Sequence, residues 1–245
     1  MMHDQMTIKE CFLFDAGNTL LRLNPSREEL LLGILKDHGM ETTLGKVKVA
    51  FMMNDNMMNV GGFTILSKEG RLQYWKEYTE NLLNSTGLPM DSLDDVTESI
   101  SGAFCSPKSW APYYDVKPTL EKLRDSGCIM AIVSNAEVCL YRTLEMNDLS
   151  QYFETVVISE EVGVEKPDPS IFREALSRLD ILPEKCVHTG DMVDADVRGA
   201  RESGITPVWL DRERMGRYTT DMLRINTLTD LPVMFRLPGD ERLSL

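Results

Sequence analysis

The stretch Cys11–Leu20, with the sequence CFLFDAGNTL, decides the fold that this chain predicts. Its first four residues are apolar, which is typical of a short hydrophobic strand. Asp15 follows directly, and the small residues Ala16 and Gly17 after it indicate a turn. Open α/β sheets build their sites at the carboxyl ends of strands, so Asp15 is a candidate catalytic residue.

Short apolar runs recur along the chain, and helical patterns lie between them. The later runs end at Val133, Ile158, His188 and Leu210. The helical patterns cover Pro118–Ser126, Glu137–Met146, Ser170–Leu179 and Ala195–Ser203. Strands that alternate with helices predict a parallel sheet with helices on both faces, an α/β fold. A sixth strand near Met222–Ile225 and a short helix over Asp230–Phe235 are expected to close it.

Residues 25–106 break this rhythm, because they contain helical patterns and no convincing strand. Ser26 and Glu29 have the spacing of a capping box, and Ser67–Leu83 carries an apolar stripe at helical spacing. We therefore predict a helical domain of residues 25–106, inserted into an α/β core formed by residues 1–24 and 107–245. Four methionines are expected to fill the core of this domain or to line an apolar surface over a substrate: Met52, Met53, Met57 and Met58.

Three further motifs are expected at the same edge of the sheet as Asp15. Ser134 ends an apolar run, Asp191 follows Gly190 at the end of another, and Lys166 lies in a proline-containing loop. A carboxylate can attack phosphorus and form an aspartyl-phosphate, which water then hydrolyses. A hydroxyl can donate to a phosphate oxygen, and a lysine can neutralise charge on the transferring group. These residue types predict a phosphoryl-transfer site.

The four motifs, in this order, resemble those of the haloacid dehalogenase (HAD) superfamily of hydrolases. The most specific match is the pattern K-P-x-P-x-x-F that begins at Lys166, and the resemblance runs from about Ile8 to Phe235. It implies a Rossmann-like parallel sheet core, whose inserted helices form a cap domain that excludes water and selects the substrate. It also implies that Asp15 is the nucleophile, with Ser134 and Lys166 as the other catalytic residues.

The resemblance implies one Mg²⁺, held by the Asp15 carboxylate, the Gly17 backbone carbonyl and Asp191. Mg²⁺ takes oxygen ligands in an octahedron and keeps several waters. Asp194 and Asp196 follow closely, and carboxylates this near to each other repel unless a cation or a lysine joins them. Either could hold the catalytic lysine or a metal-bound water. The spacing alone does not choose between them, although the five-residue step from Asp191 favours Asp196.

Gly17 departs from the family pattern, because phosphatases of this superfamily usually carry an aspartate there. That aspartate protonates the leaving oxygen and then activates water, a role that contributes about 10²–10⁴-fold. Asn18 also replaces a usual glycine, and its amide cannot serve as the acid. Two alternatives therefore stay open. One is a 2-haloacid dehalogenase or phosphonatase with the same nucleophile, and the other is a weakly active or non-catalytic protein kept for binding or regulation. A dehalogenase would need no metal, whereas a phosphonatase would need a cap lysine, for which Lys68 and Lys76 are available.

Three other polar residues carry weaker signals. Asn135 follows the catalytic serine, and Arg22 lies just past the nucleophile loop. Both are candidates for contact with the substrate or with the residues around it. His188 lies inside a predicted strand and is expected to be a core residue whose ring is satisfied by hydrogen bonds.

The composition limits the partners of the chain. It has 245 residues, of which 42% are hydrophobic and 27% charged, as in ordinary globular proteins. Its formal net charge of −13 argues against binding to nucleic acid, which depends on clustered Lys and Arg. No apolar stretch approaches the roughly 20 residues that span a bilayer. The five scattered cysteines include no CxxC pair, which favours a reducing, cytoplasmic location. The expected partner is a small phosphorylated molecule, and the oligomeric state stays open.

Overall fold

The chain folds into two compact units. The computed structural model describes residues 8–58, 68–214 and 222–239. The first unit consists of the residues up to Arg22 and those from Pro112 onward, and the second unit is Leu23–Ala111. The boundaries expected from the sequence, at residues 24/25 and 106/107, lie a few residues inside the second unit.

The described residues form two sheets. Their strands are β1 (Cys11–Phe14), β2 (Leu21–Leu23), β3 (Trp110–Pro112), β4 (Ile129–Ser134), β5 (Thr155–Ile158), β6 (Cys186–Gly190), β7 (Thr206–Leu210) and β8 (Leu223–Ile225). One sheet has six strands in the order β5-β4-β1-β6-β7-β8, and every neighbouring pair in it is parallel. β2 and β3 form a separate two-stranded sheet. Each of these two strands has only three residues, which is too short for periodicity in the sequence to reveal.

The helices belong to both units. The second unit contains α1 (Arg27–Asp37), α2 (Leu44–Met58), α3 (Lys68–Thr86) and α4 (Leu93–Cys105). The first unit contains α5 (Val116–Asp125), α6 (Cys139–Met146), α7 (Ser159–Val162), α8 (Pro169–Leu179), α9 (Gly199–Glu202) and α10 (Leu231–Met234). None of the helices in the described parts of the chain is both long and apolar enough to cross a membrane.

Both faces of the central strand β1 are buried, as expected for a run of four apolar residues. Cys11 and Leu13 pack in a core cluster with Phe172 of α8. Phe12 lies on the opposite face, where its ring centroid is 6.2 Å from that of Phe235, the residue after α10. The parallel sheet therefore has helices on both faces. The predicted α/β fold with an inserted helical domain is confirmed.

The second unit has an apolar core of its own. Ser26 caps α1 within the capping box that the sequence predicts. Tyr78 and Leu82, from the predicted stripe on α3, are buried in this core. Four residues of the sequence predictions for this unit have side chains outside the described part of the chain: Met57, Met58, Ser67 and Lys68.

Two of the methionines on α2 do not fill the core. Met52 is 62% exposed and Met53 is 50% exposed, so the expectation that they are core residues is wrong. The core positions of α2 are Val47, Ala50 and Phe51, spaced three and four residues apart. Because this spacing selects one side of a helix, Met52 and Met53 fall on another side.

Several helices differ in their bounds from the sequence prediction, among them α5, which is Val116–Asp125 rather than Pro118–Ser126. α6 begins at Cys139 rather than at residue 137. The segment predicted as a helix from Ala195 is a π-helical turn, Val193–Arg198, followed by α9. π-Helical turns often occur at functional sites, and this one carries two of the candidate carboxylates.

Candidate active site

The carboxyl ends of β1, β4 and β6 bring three predicted site residues together. Asp15 comes one residue after β1, Ser134 is the last residue of β4, and Asp191 comes one residue after β6. Since β1 lies between β4 and β6, these residues meet at one edge of the sheet. The Asp15 N–H donates to the Thr189 carbonyl at 3.0 Å, which fixes the start of the loop that follows β1, the loop of the expected nucleophile.

The Asp15 carboxylate receives two hydrogen bonds on the same oxygen. The Ser134 hydroxyl donates to Oδ1 at 2.9 Å, and the Lys166 ammonium donates to Oδ1 at 2.7 Å. All three residues are buried. Because both donors use Oδ1, Oδ2 is the oxygen left to face a cation or an electrophile.

The backbone of Lys166 is fixed by Asn135. The Lys166 N–H donates to Asn135 Oδ1 at 2.7 Å, and Asn135 Nδ2 donates back to the Lys166 carbonyl at 3.0 Å. Two residues later, the Asp168 side chain caps α8 by accepting from the Ser170 N–H at 2.8 Å. Asn135 is therefore used to hold the lysine loop and does not cap α6, whose N-cap residue is Val138.

Asp196 holds the other side of the Lys166 ammonium. Its Oδ1 accepts from Lys166 Nζ at 2.6 Å and from His188 Nε2 at 2.9 Å. Its Oδ2 accepts from the Met192 N–H at 2.9 Å. Three donors thus satisfy a carboxylate that is 1% exposed, which is what a buried charge requires.

Asp194, the other candidate for this position, lies at the surface. It pairs with Arg198 through two hydrogen bonds of 2.6 and 3.0 Å. The π-helical turn directs Asp196 inward and leaves Asp194 in solvent. The structure therefore brings Asp196, and not Asp194, onto Lys166.

Two glycines allow these segments to approach each other. A Cβ added to Gly190 would lie 2.1 Å from Asp196 Cγ, in the space that the carboxylate occupies. A Cβ added to Gly199 would lie 2.7 Å from the ring of Phe172. Glycine at both positions lets the π-helical turn close against the end of β6 and against α8.

Burial and charge shift the pKa values of this cluster. Burial alone would lower the pKa of Lys166, but the carboxylates of Asp15 and Asp196 hold it above its usual value. Burial alone would raise the pKa of Asp196, but the Lys166 ammonium and the hydrogen bond from His188 hold it below its usual range. For Asp191, burial and then the charges of Asp15 and Asp196 raise the pKa to about 8.

The carboxylates form a cluster that can hold a metal ion. Oxygens of Asp15, Asp191 and Asp196 lie within 4.8 Å of one another. Both oxygens of Asp196 already accept hydrogen bonds, so Asp15 Oδ2 and Asp191 are the carboxylate groups that remain for a cation. Among the described residues the Gly17 carbonyl accepts no hydrogen bond, since the Ala16 carbonyl takes the N–H groups that return to this turn.

The nucleophile loop explains one departure from the family pattern. Asn18 has a φ of 54°, in the left-handed region that favours glycine. Asn enters this region more readily than most other residues, so it can stand where a glycine is usual. Gly17 is not among the described residues with positive φ, so its backbone conformation does not itself require glycine.

Three contacts beside the site were not predicted. The Thr19 hydroxyl donates to Asp191 Oδ1 at 3.4 Å. Arg212 donates to the Thr19 carbonyl at 2.8 Å and pairs with Asp115 through two hydrogen bonds of 2.9 and 3.0 Å. Thr19 is the residue directly after Asn18, so its place in the loop was a usable signal. Arg212 and Asp115 belong to no motif.

The remaining candidates have mixed outcomes. Arg22 is exposed on the described surface. His188 is buried as expected, and its Nε2 bonds to Asp196. Its Nδ1 has no hydrogen-bond partner in the described structure, so the expectation of a satisfied ring is wrong for this nitrogen.

A family model described as haloacid dehalogenase-like hydrolase matches residues 9–204. This range includes the nucleophile loop, the lysine motif and the Gly-Asp pair. The chain belongs to this family. The resemblance found in the sequence is confirmed, and the protein is an enzyme, a HAD-like hydrolase.

Named relatives of this HAD-like hydrolase include two phosphatases. It is 45% identical over 108 residues to glyceraldehyde 3-phosphate phosphatase of Methanopyrus kandleri, which covers 44% of this chain and 45% of that protein. It is 34% identical over 136 residues to phosphoserine phosphatase of Thermus thermophilus, which covers 55% of this chain and 53% of that protein. A longer match, 30% identical over 198 residues, covers 78% each of this chain and of haloacid dehalogenase-like hydrolase domain-containing protein 3 of Mus musculus. The chain thus spans about half the length of the two phosphatases.

Solved structures support the same fold. The magnesium-bound HAD-hydrolase YfnB of Bacillus subtilis aligns with a TM-score of 0.77 and 18% identity, over 92% of this chain and 97% of that one. A HAD phosphatase of Thermococcus onnurineus aligns with a TM-score of 0.58 and 25% identity, over 93% of this chain and 99% of that one.

Proposed function

We propose that this HAD-like hydrolase is a Mg²⁺-dependent phosphatase that acts on a small phosphorylated metabolite through an aspartyl-phosphate on Asp15. The observation that carries the proposal is the arrangement around the Asp15 carboxylate. Ser134 and Lys166 hold Oδ1, while Oδ2 and Asp191 are left facing a site that can take a cation.

Each residue of the site has a separate role in the proposed reaction. An Asp15 oxygen attacks phosphorus, and the phosphorus–oxygen bond to the leaving group breaks. The Ser134 hydroxyl and the Lys166 ammonium are donors preorganised for the oxygens of the transferring group. Asp196 and Asn135 keep Lys166 in place through its ammonium and its backbone.

The charge balance of the site supports a divalent cation. Once Asp191 gives up its proton to bind a cation, Asp15, Asp191 and Asp196 carry three negative charges and Lys166 one positive charge, which leaves two negative charges in this cluster. Carboxylate and carbonyl oxygens are the ligands that Mg²⁺ prefers, and Asp15, Asp191 and the Gly17 carbonyl would supply them. When bound, Mg²⁺ would offset the charge of the transferring phosphoryl group.

The relatives support the substrate class. Two of them are named for the hydrolysis of small phosphate monoesters, glyceraldehyde 3-phosphate and phosphoserine. We further propose that residues 25–106 act as a cap that selects the substrate, that residues 1–24 and 107–245 form the catalytic core, and that the enzyme works in the cytoplasm.

The alternatives have less support. A phosphonatase needs a cap lysine that can lose its proton, but the hydrogen bond and charge of Asp94, 2.8 Å away, raise the pKa of Lys76. The side chain of Lys68 lies outside the described residues. A dehalogenase needs no cation, which leaves the acidic cluster around Asp191 without a use. Gly17 is the one feature that favours weak catalysis.

A panel of phosphorylated metabolites, together with an activated aryl phosphate, tests the proposal. Phosphate release should require Mg²⁺, stop in chelator and be lost in Asp15→Asn. Asp194→Asn is the matched control, because Asp194 is an exposed carboxylate paired with Arg198, and it should keep the wild-type rate. Absence of Mg²⁺-dependent phosphate release from every compound would refute the phosphatase. Halide release from a 2-haloacid in the presence of chelator would establish the dehalogenase instead.

A further inference from the structure

His188 contacts two segments beside the catalytic Lys166, the π-helical turn Val193–Arg198 and α8. It lies in the middle of β6 and is 1% exposed. Its Nε2 bonds to Asp196 in the π-helical turn. The edge of its ring meets Phe172, the last residue of the motif that begins at Lys166, with ring centroids 5.0 Å apart and planes at 85°.

The hydrogen bonds define which nitrogen of His188 carries the proton. Asp196 is an ionised acceptor, because it receives the Lys166 ammonium and the Met192 N–H as well. The proton of His188 therefore lies on Nε2, and Nδ1 keeps a lone pair that has no partner among the described residues. A second proton on this ring would be a buried charge with no acceptor, and burial accordingly lowers the pKa of His188.

We propose that His188 is a positioning residue of this enzyme, which acts as a neutral donor that holds Asp196 Oδ1 where that oxygen fixes the ammonium of Lys166. Its effect on turnover rests on the proposed phosphatase function. Its effect on the placement of Lys166 does not.

The shared oxygen carries this argument. Asp196 Oδ1 accepts from His188 at 2.9 Å and from Lys166 at 2.6 Å, so the imidazole sets the position of the oxygen that the ammonium meets. Lys166 then reaches Asp15 Oδ1 at 2.7 Å. Without the imidazole, only Lys166 would hold Oδ1, and the carboxylate could turn about its remaining bond to the Met192 N–H.

The ring contact with Phe172 explains why a histidine suits this position. The same side chain packs as an aromatic ring against α8 and donates as an N–H at its far end. His188→Phe keeps the ring and removes the donor. His188→Gln removes the ring but places an amide N–H the same number of bonds from the backbone as Nε2.

The experiment combines kinetics with an observation of the lysine itself. Single-turnover phosphorylation of Asp15 by an activated aryl phosphate measures chemistry, and titration with that substrate separates kcat from KM. NMR of the ¹⁵N-labelled lysine ammonium, assigned with Lys166→Arg, measures whether Lys166 is held in place. Thr189→Val is the matched control, because Thr189 is a buried neighbour in β6 whose hydroxyl has no partner among the described groups, and valine keeps the backbone carbonyl that accepts from the Asp15 N–H.

We expect His188→Phe to lower the phosphorylation rate by roughly ten- to a hundredfold, the effect of one hydrogen bond to a charged group, with KM almost unchanged. The Lys166 ammonium signal should broaden or disappear. His188→Gln should restore most of both, and Thr189→Val should change neither.

Three results would overturn the proposal. The first is a folded His188→Phe protein with the wild-type rate and ammonium signal. The second is a His188→Gln protein as impaired as His188→Phe, because the N–H donor that glutamine supplies would then restore nothing. The third is an equal loss in Thr189→Val. If the wild-type enzyme turns over no phosphate ester, the proposed function fails, while the ammonium signals still decide whether His188 positions Lys166.

Discussion

Substituting alanine for Gly190 should disable the site without touching any group that reacts. The added Cβ would lie 2.1 Å from Asp196 Cγ, whereas ordinary contact begins at 3.4 Å, so the carboxylate must withdraw by about 1.3 Å. Its hydrogen bonds to Lys166, His188 and the Met192 N–H are 2.6, 2.9 and 2.9 Å long, and such a shift breaks them.

The expected losses of stability and of kcat follow from the separation of Asp196 from Lys166. Breaking a buried ion pair on one side costs about 3–5 kcal/mol, and local relaxation recovers part of it, so we expect the free energy of unfolding to fall by about 3 kcal/mol. Lys166 would keep only Asp15 as a partner. Loss of one preorganised electrostatic contact typically lowers kcat about 10²–10³-fold, and that is the range expected here.

The assay is Mg²⁺-dependent phosphate release with denaturant unfolding measured in parallel. Gly102→Ala is the matched control, since its added Cβ in α4 meets nothing within 4 Å. It should raise the free energy of unfolding by about 0.5–1 kcal/mol and leave kcat unchanged. If Gly190→Ala keeps more than half of the wild-type kcat, with Asp196 unmoved in a crystal structure, the reasoning from this close approach is wrong.

Three more predictions concern the carboxylates and the glycine of the nucleophile loop. Asp15→Asn should lose turnover and still fold; undiminished phosphate release would exclude Asp15 as the nucleophile. In chelator, stability should fall as pH rises from about 4 towards 8, because native Asp191 keeps its proton up to a pKa of about 8 while the unfolded chain loses it near 3.8. Thermal unfolding of Asp191→Asn should show a smaller fall in stability over this pH range, and added Mg²⁺ should reduce the fall in the wild type. Equal slopes of stability against pH in the two proteins would contradict the raised pKa of Asp191. The wild type should cleave an aryl phosphate much faster than an alkyl phosphate, and Gly17→Asp should narrow that ratio about tenfold or more by supplying an acid. Equal wild-type rates on the two esters would show that another group supplies the proton.

Strand ends were the part of the site that the sequence could predict. The apolar run before Asp15 and the run ending at Ser134 define parallel strands, and parallel strands place their carboxyl ends at one edge. The pattern that begins at Lys166 then identified, through the family resemblance, the lysine that contacts Asp15. Each of these signals is local, so a single sequence was enough to find it.

Contacts that depend on an irregular backbone were beyond the sequence. A π-helical turn decides that Asp196 and not Asp194 meets Lys166, and no periodicity distinguishes it from an ordinary helix. Arg212 pairs with Asp115 across 97 positions of the chain, and neither residue carries a motif. The exposure of Met52 was also missed, for a different reason. Its apolar character alone does not say which side of a helix faces the core.

The position of β1 in the sheet has a consequence for synthesis. Of the described strands it is the first to leave the ribosome, yet it lies between β4 and β6, where Cys11 pairs with Ile129 and with Cys186. The whole of Leu23–Ala111, with a core of its own, is made before either partner exists. During that time four apolar residues stay attached to a growing chain with both edges of their strand unpaired, a state that is prone to aggregation. Chains that stop short of Cys186 would keep one of those edges open, so they should depend on chaperones more than chains that include β6 do.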